Sequence, residues 1–308
     1  MRHILYITIL FIFSVSNAQQ LDVYSQFLHT GLDYNPAFAG TQSFYAVKVQ
    51  HKQQFSQVNG SPNSSMLTTD MPFSDNFGGA LLVKQSRFQG EQVLLLNMNG
   101  AYRMKTSTGE VDFGMRLGLN QRQINYTSTG SGSIGNVGTF NSWDVGAGIQ
   151  YRDEESFFSL SMINGDENVS GNETNIPRDA SRNIIASGAG RFFVADGVDG
   201  VFGVVGNYVK DLPLGFHINS SFIIYDFAWV GATYRTLEKQ ASIQIGVATG
   251  HALNIGYAYD FGLGATSYTY TNATHELYLS INFAGKRSGK TLNEDISPIM
   301  FLEKKKKN

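Results

Sequence analysis

From Val111 to Arg122 the chain reads VDFGMRLGLNQR, an alternation that runs unbroken through the whole stretch. Val111, Phe113, Met115, Leu117 and Leu119 fall on one side, and Asp112, Gly114, Arg116, Gly118, Asn120 and Arg122 on the other. Successive side chains of a strand point to opposite faces, so this period means a strand with one apolar and one polar face. The pattern recurs from Trp143 to Arg152 and from Leu253 to Phe261. A soluble sandwich would turn the apolar face inward. A membrane barrel would turn it to lipid and keep the polar face for its lumen. An arginine on the lipid side at mid-bilayer costs roughly 2–4 kcal/mol, so in a barrel Arg116 must look inward. Gly114, Gly118, Gly146 and Gly148 share the polar face with the charges. Such a mixture suits a crowded lumen better than an open water surface. Length decides the matter: a bilayer needs tilted strands of about nine to eleven residues, whereas ordinary strands run nearer five or six. The expected class is an all-β transmembrane antiparallel barrel.

The start of the chain fits export. Arg2 and His3 precede the apolar run Ile4–Val15, and Ser16-Asn17-Ala18 follow. A basic start, a short apolar core and small residues are the parts of a cleaved secretory signal peptide, here residues 1–18. The mature chain then begins at Gln19, without a cysteine to cross-link it. An exported protein lacking disulfides is consistent with a sheet that closes on itself. A formal charge of −2 gives no electrostatic case for nucleic acid.

Counting alternating segments gives about fourteen strands, an even number as in bacterial outer-membrane barrels. The expected starts are Tyr45, Ser64, Gly78, Gln92, Glu110, Ser142, Ser156, Arg182, Gly200, Gly215, Phe227, Gln240, Ala252 and Thr274. Connections after odd strands include the long ones, Phe55–Asn63, Gln123–Asn141, Asn164–Ser181 and Gly264–Ala273. Those after even strands are short, such as Lys105–Gly109, Asp153–Glu155 and Ala195–Asp199. Short periplasmic turns and long outer loops are the mark of an outer-membrane barrel. The chain divides into residues 1–18 as signal, 19–43 as a periplasmic lead-in, 44–284 as barrel and 285–308 as a periplasmic tail.

The lead-in contains YNPAFAG, Tyr34 to Gly40. Pro36 pushes Asn35 into extended backbone, and Gly40 permits a turn closed to other residues. Tyr34 and Phe38 then pack inward or against the membrane interface. The expectation is a segment that seats the chain at the periplasmic mouth before the first strand, and a plug is the other role open to it.

YNPAFAG, followed by HKQQFSQVNGSPNSSMLTTDMPF (His51–Phe73), resembles the N-terminal signature of the PorP/SprF family. WVGATYR (Trp229–Arg235), IGYAYDFGLG (Ile255–Gly264), THELYLSINF (Thr274–Phe283) and SPIMF (Ser297–Phe301) continue the resemblance in order. Ile299 and Met300 stand where the family usually has arginine and tyrosine, and Lys304–Lys307 extend past its common end. The resemblance implies an outer-membrane protein of the type IX secretion and gliding apparatus of Bacteroidetes, a phylum of Gram-negative bacteria. Its implied work is non-catalytic, to bind, tether or help export surface proteins carrying type IX C-terminal domains. Its implied partners are those proteins, the secretion and periplasmic motor components, and the lipid bilayer. An Asn-Pro-Ala segment also occurs in the N-terminal hatch of the fourteen-stranded long-chain fatty-acid transporter family. That second likeness supplies a rival reading, a transporter of hydrophobic or small solutes.

The residues offer little chemistry and no cofactor site. The six histidines show no His-x-His or His-x-x-x-His spacing. His275 and Glu276 are neighbours on a strand and must face opposite ways. No matched nucleophile, base and orienting group stands out, so the chain does not read as an enzyme. The candidate functional set is the polar lining of the lumen: Lys48, Lys52, Asp112, Arg116, Asp144, Arg152, Arg191, Arg235, Asp260 and Glu276. It either pairs with itself to fix the strands or grips a protein segment. The lead-in residues Tyr34, Asn35, Pro36, Phe38 and Gly40 complete the candidates. Lys304–Lys307 form either a solvated end or a dock for an acidic periplasmic partner.

Overall fold

In a computed structural model the protein is described over residues 24–42, 44–56, 60–88, 90–127, 134–165, 182–210, 212–249, 253–263 and 274–283. The signal segment and the lysine-rich tail lie outside the described residues. The first seven strands are β1 (Tyr45–Gln53), β2 (Asn63–Pro72), β3 (Phe77–Phe88), β4 (Glu91–Lys105), β5 (Glu110–Thr127), β6 (Ile134–Arg152) and β7 (Ser156–Gly165). They continue as β8 (Arg182–Ala195), β9 (Val198–Val209), β10 (Gly215–Ile224), β11 (Ala228–Arg235), β12 (Gln240–Ala248), β13 (Leu253–Gly262) and β14 (Thr274–Phe283). Each pairs antiparallel with its sequence neighbours, and β1 pairs with β14, so the sheet is a closed fourteen-stranded barrel. No described helix is long and apolar enough to cross a membrane. The strands do the crossing.

The alternation read from sequence is the alternation of the wall. On β5, Phe113, Met115, Leu117 and Leu119 are exposed on the outside, while Asp112, Gly114, Arg116 and Gly118 are buried inside. On β13, Asn254, Gly256, Ala258 and Asp260 face in. Thus Arg116 escapes lipid and the apolar face meets it.

One loop expectation is corrected. Gln123–Asn141 is mostly strand: β5 continues to Thr127 and β6 begins at Ile134, across a register shift between Ile124 and Asn125. Only about nine to eleven residues of a strand are needed to cross lipid. β5 and β6, at 18 and 19 residues, run past that length, so no apolar face is required of the excess. The ladder persists there while the alternation fades. Arg122 pairs with Glu91 at 2.9 Å, and Gln121 donates to Asn141 at 3.1 Å.

The larger correction concerns the lead-in. Every residue from Tyr24 to Gln42 is buried inside the barrel, not seated at its mouth. The segment runs through a 3-10 turn (Phe27–His29), a single helical turn α1 (Gly31–Tyr34) and a second 3-10 turn (Pro36–Phe38). Asn35 is extended (φ −148°, ψ 119°) and its side chain accepts from the Ala37 N–H at 2.8 Å, capping the turn that Pro36 begins. Phe27, Leu28, Leu32, Tyr34 and Phe38 join one core with Leu82, Phe157, Ile185, Val205 and Trp229 of the wall. At the mouth these side chains would face water. Burial of each is worth roughly 1.5–3 kcal/mol, which favours the lumen.

The lipid assignment is directly testable. Met115→Arg, near the middle of the alternating stretch Val111–Arg122 of β5, is expected to destabilise the barrel by roughly 2–4 kcal/mol. The same change at Phe158, near the turn-side end of β7, should cost only about 0–1 kcal/mol. Equilibrium unfolding in lipid vesicles reads both, and equal costs would contradict the assigned lipid face and depth.

Candidate functional site

All ten residues of the expected polar lining are buried within the barrel. They do not form one network. They divide into groups at different heights, most of which meet the plug made by residues 24–42.

Near the short-turn end, Asp112 sits between two arginines. Arg103 Nε donates to Asp112 Oδ1 at 2.6 Å and Arg152 Nε to Asp112 Oδ2 at 3.2 Å. Both arginines also pair with Glu110. Arg103 Nη2 reaches the plug, donating to the Gly40 carbonyl at 3.1 Å. Arg103 is missing from the residues expected from sequence, although Ala101-Tyr102-Arg103-Met104 carries the alternation that finds it. On another part of this rim Arg191 donates to Asp199 at 2.9 Å and to Asp226 at 2.8 Å. Asp226 and Tyr225 both have positive φ, +52° and +49°. Arg191 from β8 therefore ties down the strained turn between β10 and β11.

At mid-height Arg116 turns from the wall to the plug. It donates to the Leu32 carbonyl, to the Asp33 carbonyl at 3.3 Å and to Asn99 Oδ1 at 2.9 Å. Asp144 lies 4.0 Å from Arg116 and accepts from Asn97 at 2.7 Å. Asp112, held by Arg103 and Arg152, is not part of this group. Lys84 Nζ donates to Asp33 of the plug at 3.0 Å, and Lys48 lies 3.8 Å from Asp70. Asp33 and Lys84 are 51 positions apart, and no local pattern announces such a pair.

At the long-loop end the plug is held by its backbone. Glu276 accepts the Ser25 N–H with both oxygens, at 2.9 and 2.8 Å, and the Gln26 N–H at 3.3 Å. Asp260 accepts the Ser25 hydroxyl at 2.8 Å, and Thr233 donates to the Ser25 carbonyl at 2.9 Å. Lys52 lies 3.6 Å from Glu276, and Arg235 donates to Asp260. The Tyr24 hydroxyl shares a hydrogen bond with Ser64 at 3.0 Å.

The lumen-facing glycines are seats for this segment. A Cβ on Gly78 would strike Ala39 and Gly40, one on Gly114 would strike Pro36 and Ala37, and one on Gly148 would strike the Asn35 side chain. Higher up, Gly203 lies against Leu28 and Gly256 against Gln26. Asn35 also donates to the Ile149 carbonyl at 3.3 Å, and Ser161 donates to the Tyr34 carbonyl at 2.5 Å. Of the lead-in candidates, Tyr34, Asn35, Pro36, Phe38 and Gly40 are thus all wall contacts of the plug or members of its core.

His29 packs between Trp229 and Tyr278, with ring centroids 5.0 and 4.8 Å away. It belongs to the plug, outside the membrane-spanning strands. Burial, reinforced by the nearby Lys48 charge, lowers its pKa from the usual 6.5 to about 3. On the outside wall, His275 shares a hydrogen bond with Tyr257 at 2.6 Å, and His51 shares one with Ser65 at 2.8 Å. No group of three or more metal-ligating side chains occurs among the described residues.

The fold and its filling define a class: an outer-membrane barrel whose lumen holds its own N-terminal segment. The chain is similar in fold to the CymD monoaromatic hydrocarbon channel, with a TM-score of 0.53 and 12% identity over 83% of this chain and 93% of that one. It is similar also to a TodX deltaS2S3 mutant, another monoaromatic hydrocarbon channel, with a TM-score of 0.50 and 11% identity over 82% and 93%. No curated protein matches the chain. The family described as "Type IX secretion system membrane protein PorP/SprF" matches residues 16–281. The chain belongs to that family, and it resides in the outer membrane.

Two measurements check the site's physics. Asp112→Ala leaves two buried guanidinium groups sharing Glu110, and is expected to cost about 3–5 kcal/mol of unfolding free energy. A loss below 1 kcal/mol would mean that water reaches the pair. The low pKa of His29 sets a sign as well: the undocked state binds a proton near pH 6.5 and the docked state does not until about pH 3. Plug docking is therefore fully favoured above pH 6.5 and weakens as pH falls through that window. In a Trp143→Phe background, Trp229 emission should shift to the red on acidification. His29→Phe, which keeps the aromatic packing, should remove that part of the shift.

Proposed function

We propose that the protein is a non-catalytic docking barrel of the type IX secretion apparatus. It binds secreted surface proteins on its outer side and components of the secretion machinery on its periplasmic side. The observation that carries this reading is the use made of the lumen: residues 24–42 extend along it, from Glu276 at the long-loop end to Arg103 at the short-turn end. Charges that would line a path for solute instead hold this chain's own backbone. Binding to partners then falls to the two rims. On the outer side stands the β5–β6 hairpin, whose strands of 18 and 19 residues exceed what a bilayer requires. On the periplasmic side stand the short turns.

Affinity purification of the tagged protein from its own outer membrane in mild detergent, followed by mass spectrometry, tests the reading. Secreted proteins with C-terminal sorting domains or periplasmic secretion components are expected in stoichiometric amount. Removing the outer part of the β5–β6 hairpin, residues 123–139, should release the former and spare the latter. A barrel that comes away with apolar small molecules and no protein would favour transport of a hydrophobic solute instead.

A further inference from the structure

We infer that the long-loop mouth of the lumen is a peptide-binding site, occupied in this structure by the chain's own Tyr24-Ser25-Gln26. The ligand class is a short peptide turn that presents a small hydroxyl residue, and the proposed competing occupant is such a segment of a secreted protein arriving from outside. That choice of occupant rests on the function proposed above; the site itself does not.

The contacts have the form of peptide recognition. Glu276 takes two consecutive backbone N–H groups, Thr233 donates to the intervening carbonyl, and Asp260 accepts the Ser25 hydroxyl. Three of these four are main-chain contacts, so any peptide able to present the same backbone can make them. Selectivity is left to the Ser25 hydroxyl and to Tyr24, whose own hydroxyl meets Ser64. The cradle is built in advance. Lys52 lies beside Glu276 and Arg235 donates to Asp260, so both carboxylates are oriented before a peptide arrives.

The cradle lies toward one end of the barrel. Glu276 is the third residue of β14, Asp260 lies two residues before the end of β13, and Ser64 is the second residue of β2. All three are at strand ends that join the long connections, the outer side of such barrels. The other end of the plug is anchored independently by Asn35, Tyr34 and Gly40. Residues 24–26 can leave the cradle while the lower turn stays seated.

The test uses the full chain and a dye-labelled synthetic peptide of residues 21–28, LDVYSQFL. Ser25→Pro removes the N–H given to Glu276 and the hydroxyl given to Asp260, and so vacates the cradle in place. The expected result is saturable binding of the peptide to the Ser25→Pro barrel, at least about tenfold tighter than to the unaltered protein. Adding Glu276→Gln should reverse that gain, and the peptide applied outside intact cells should label the Ser25→Pro strain. Equal binding to the unaltered and Ser25→Pro barrels, or binding indifferent to Glu276→Gln, overturns the site. If Ser25→Pro prevents the barrel from reaching its folded gel mobility, residues 24–26 are a folding element and the proposal also falls. Because the peptide comes from this chain, the titration can succeed while no secreted partner co-purifies, and the reverse; the two readings fail separately.

Discussion

An unpaired backbone N–H or C=O in hydrocarbon costs several kcal/mol, so a sheet in a membrane must lose its edges. Here the last edge disappears where β1 meets β14, in a ladder from Tyr45 opposite Phe283 to Gln53 opposite His275. Closure has a second effect. It gives every strand an inward face that neither lipid nor bulk water covers, and that face must be satisfied from within. The chain does so partly by pairing charges across neighbouring strands and partly by folding residues 24–42 into the space.

These two solutions depend on each other. Arg103 pairs with Asp112 and also holds the Gly40 carbonyl; Arg116 faces Asp144 and also holds two carbonyls of α1. A buried ion pair is by itself weak evidence for stability, because desolvation offsets much of its attraction. What such pairs supply is register. Each fixes one strand against its neighbour and one level of the plug against the wall. The apolar contacts of Phe27, Leu28, Tyr34 and Phe38 then provide the larger share of the burial.

The wall was legible because lipid imposes a strict rule on each residue. Alternation on β5, β6 and β13 follows from it, and the starts at Tyr45, Glu110, Ser156, Arg182, Gly215, Gln240 and Thr274 coincide with those observed. Legibility failed where the rule lapses. Where β5 and β6 run past the length that a bilayer needs, no apolar face is required of them. Inside the lumen the plug is surrounded on all sides, so its three short turns show no period. The partners of Asp33 and Ser25 come from strands far along the chain, which no local pattern can announce. Gly114 and Gly148 were read correctly as signs of crowding, but the identity of what crowds them required the fold.

The contact between plug and wall at Gly78, Gly114 and Gly148 has a consequence for how this protein is probed. Substitution by alanine usually subtracts atoms and measures what they contributed. At these three positions it adds a methyl group where the backbone or the Asn35 side chain of residues 35–40 already lies. At these glycines a conventional alanine scan would thus act as a wedge and not as a deletion. The wedges at Gly78, Gly114 and Gly148 would mark where residues 35–40 pass the wall, read out from residues that have no side chain.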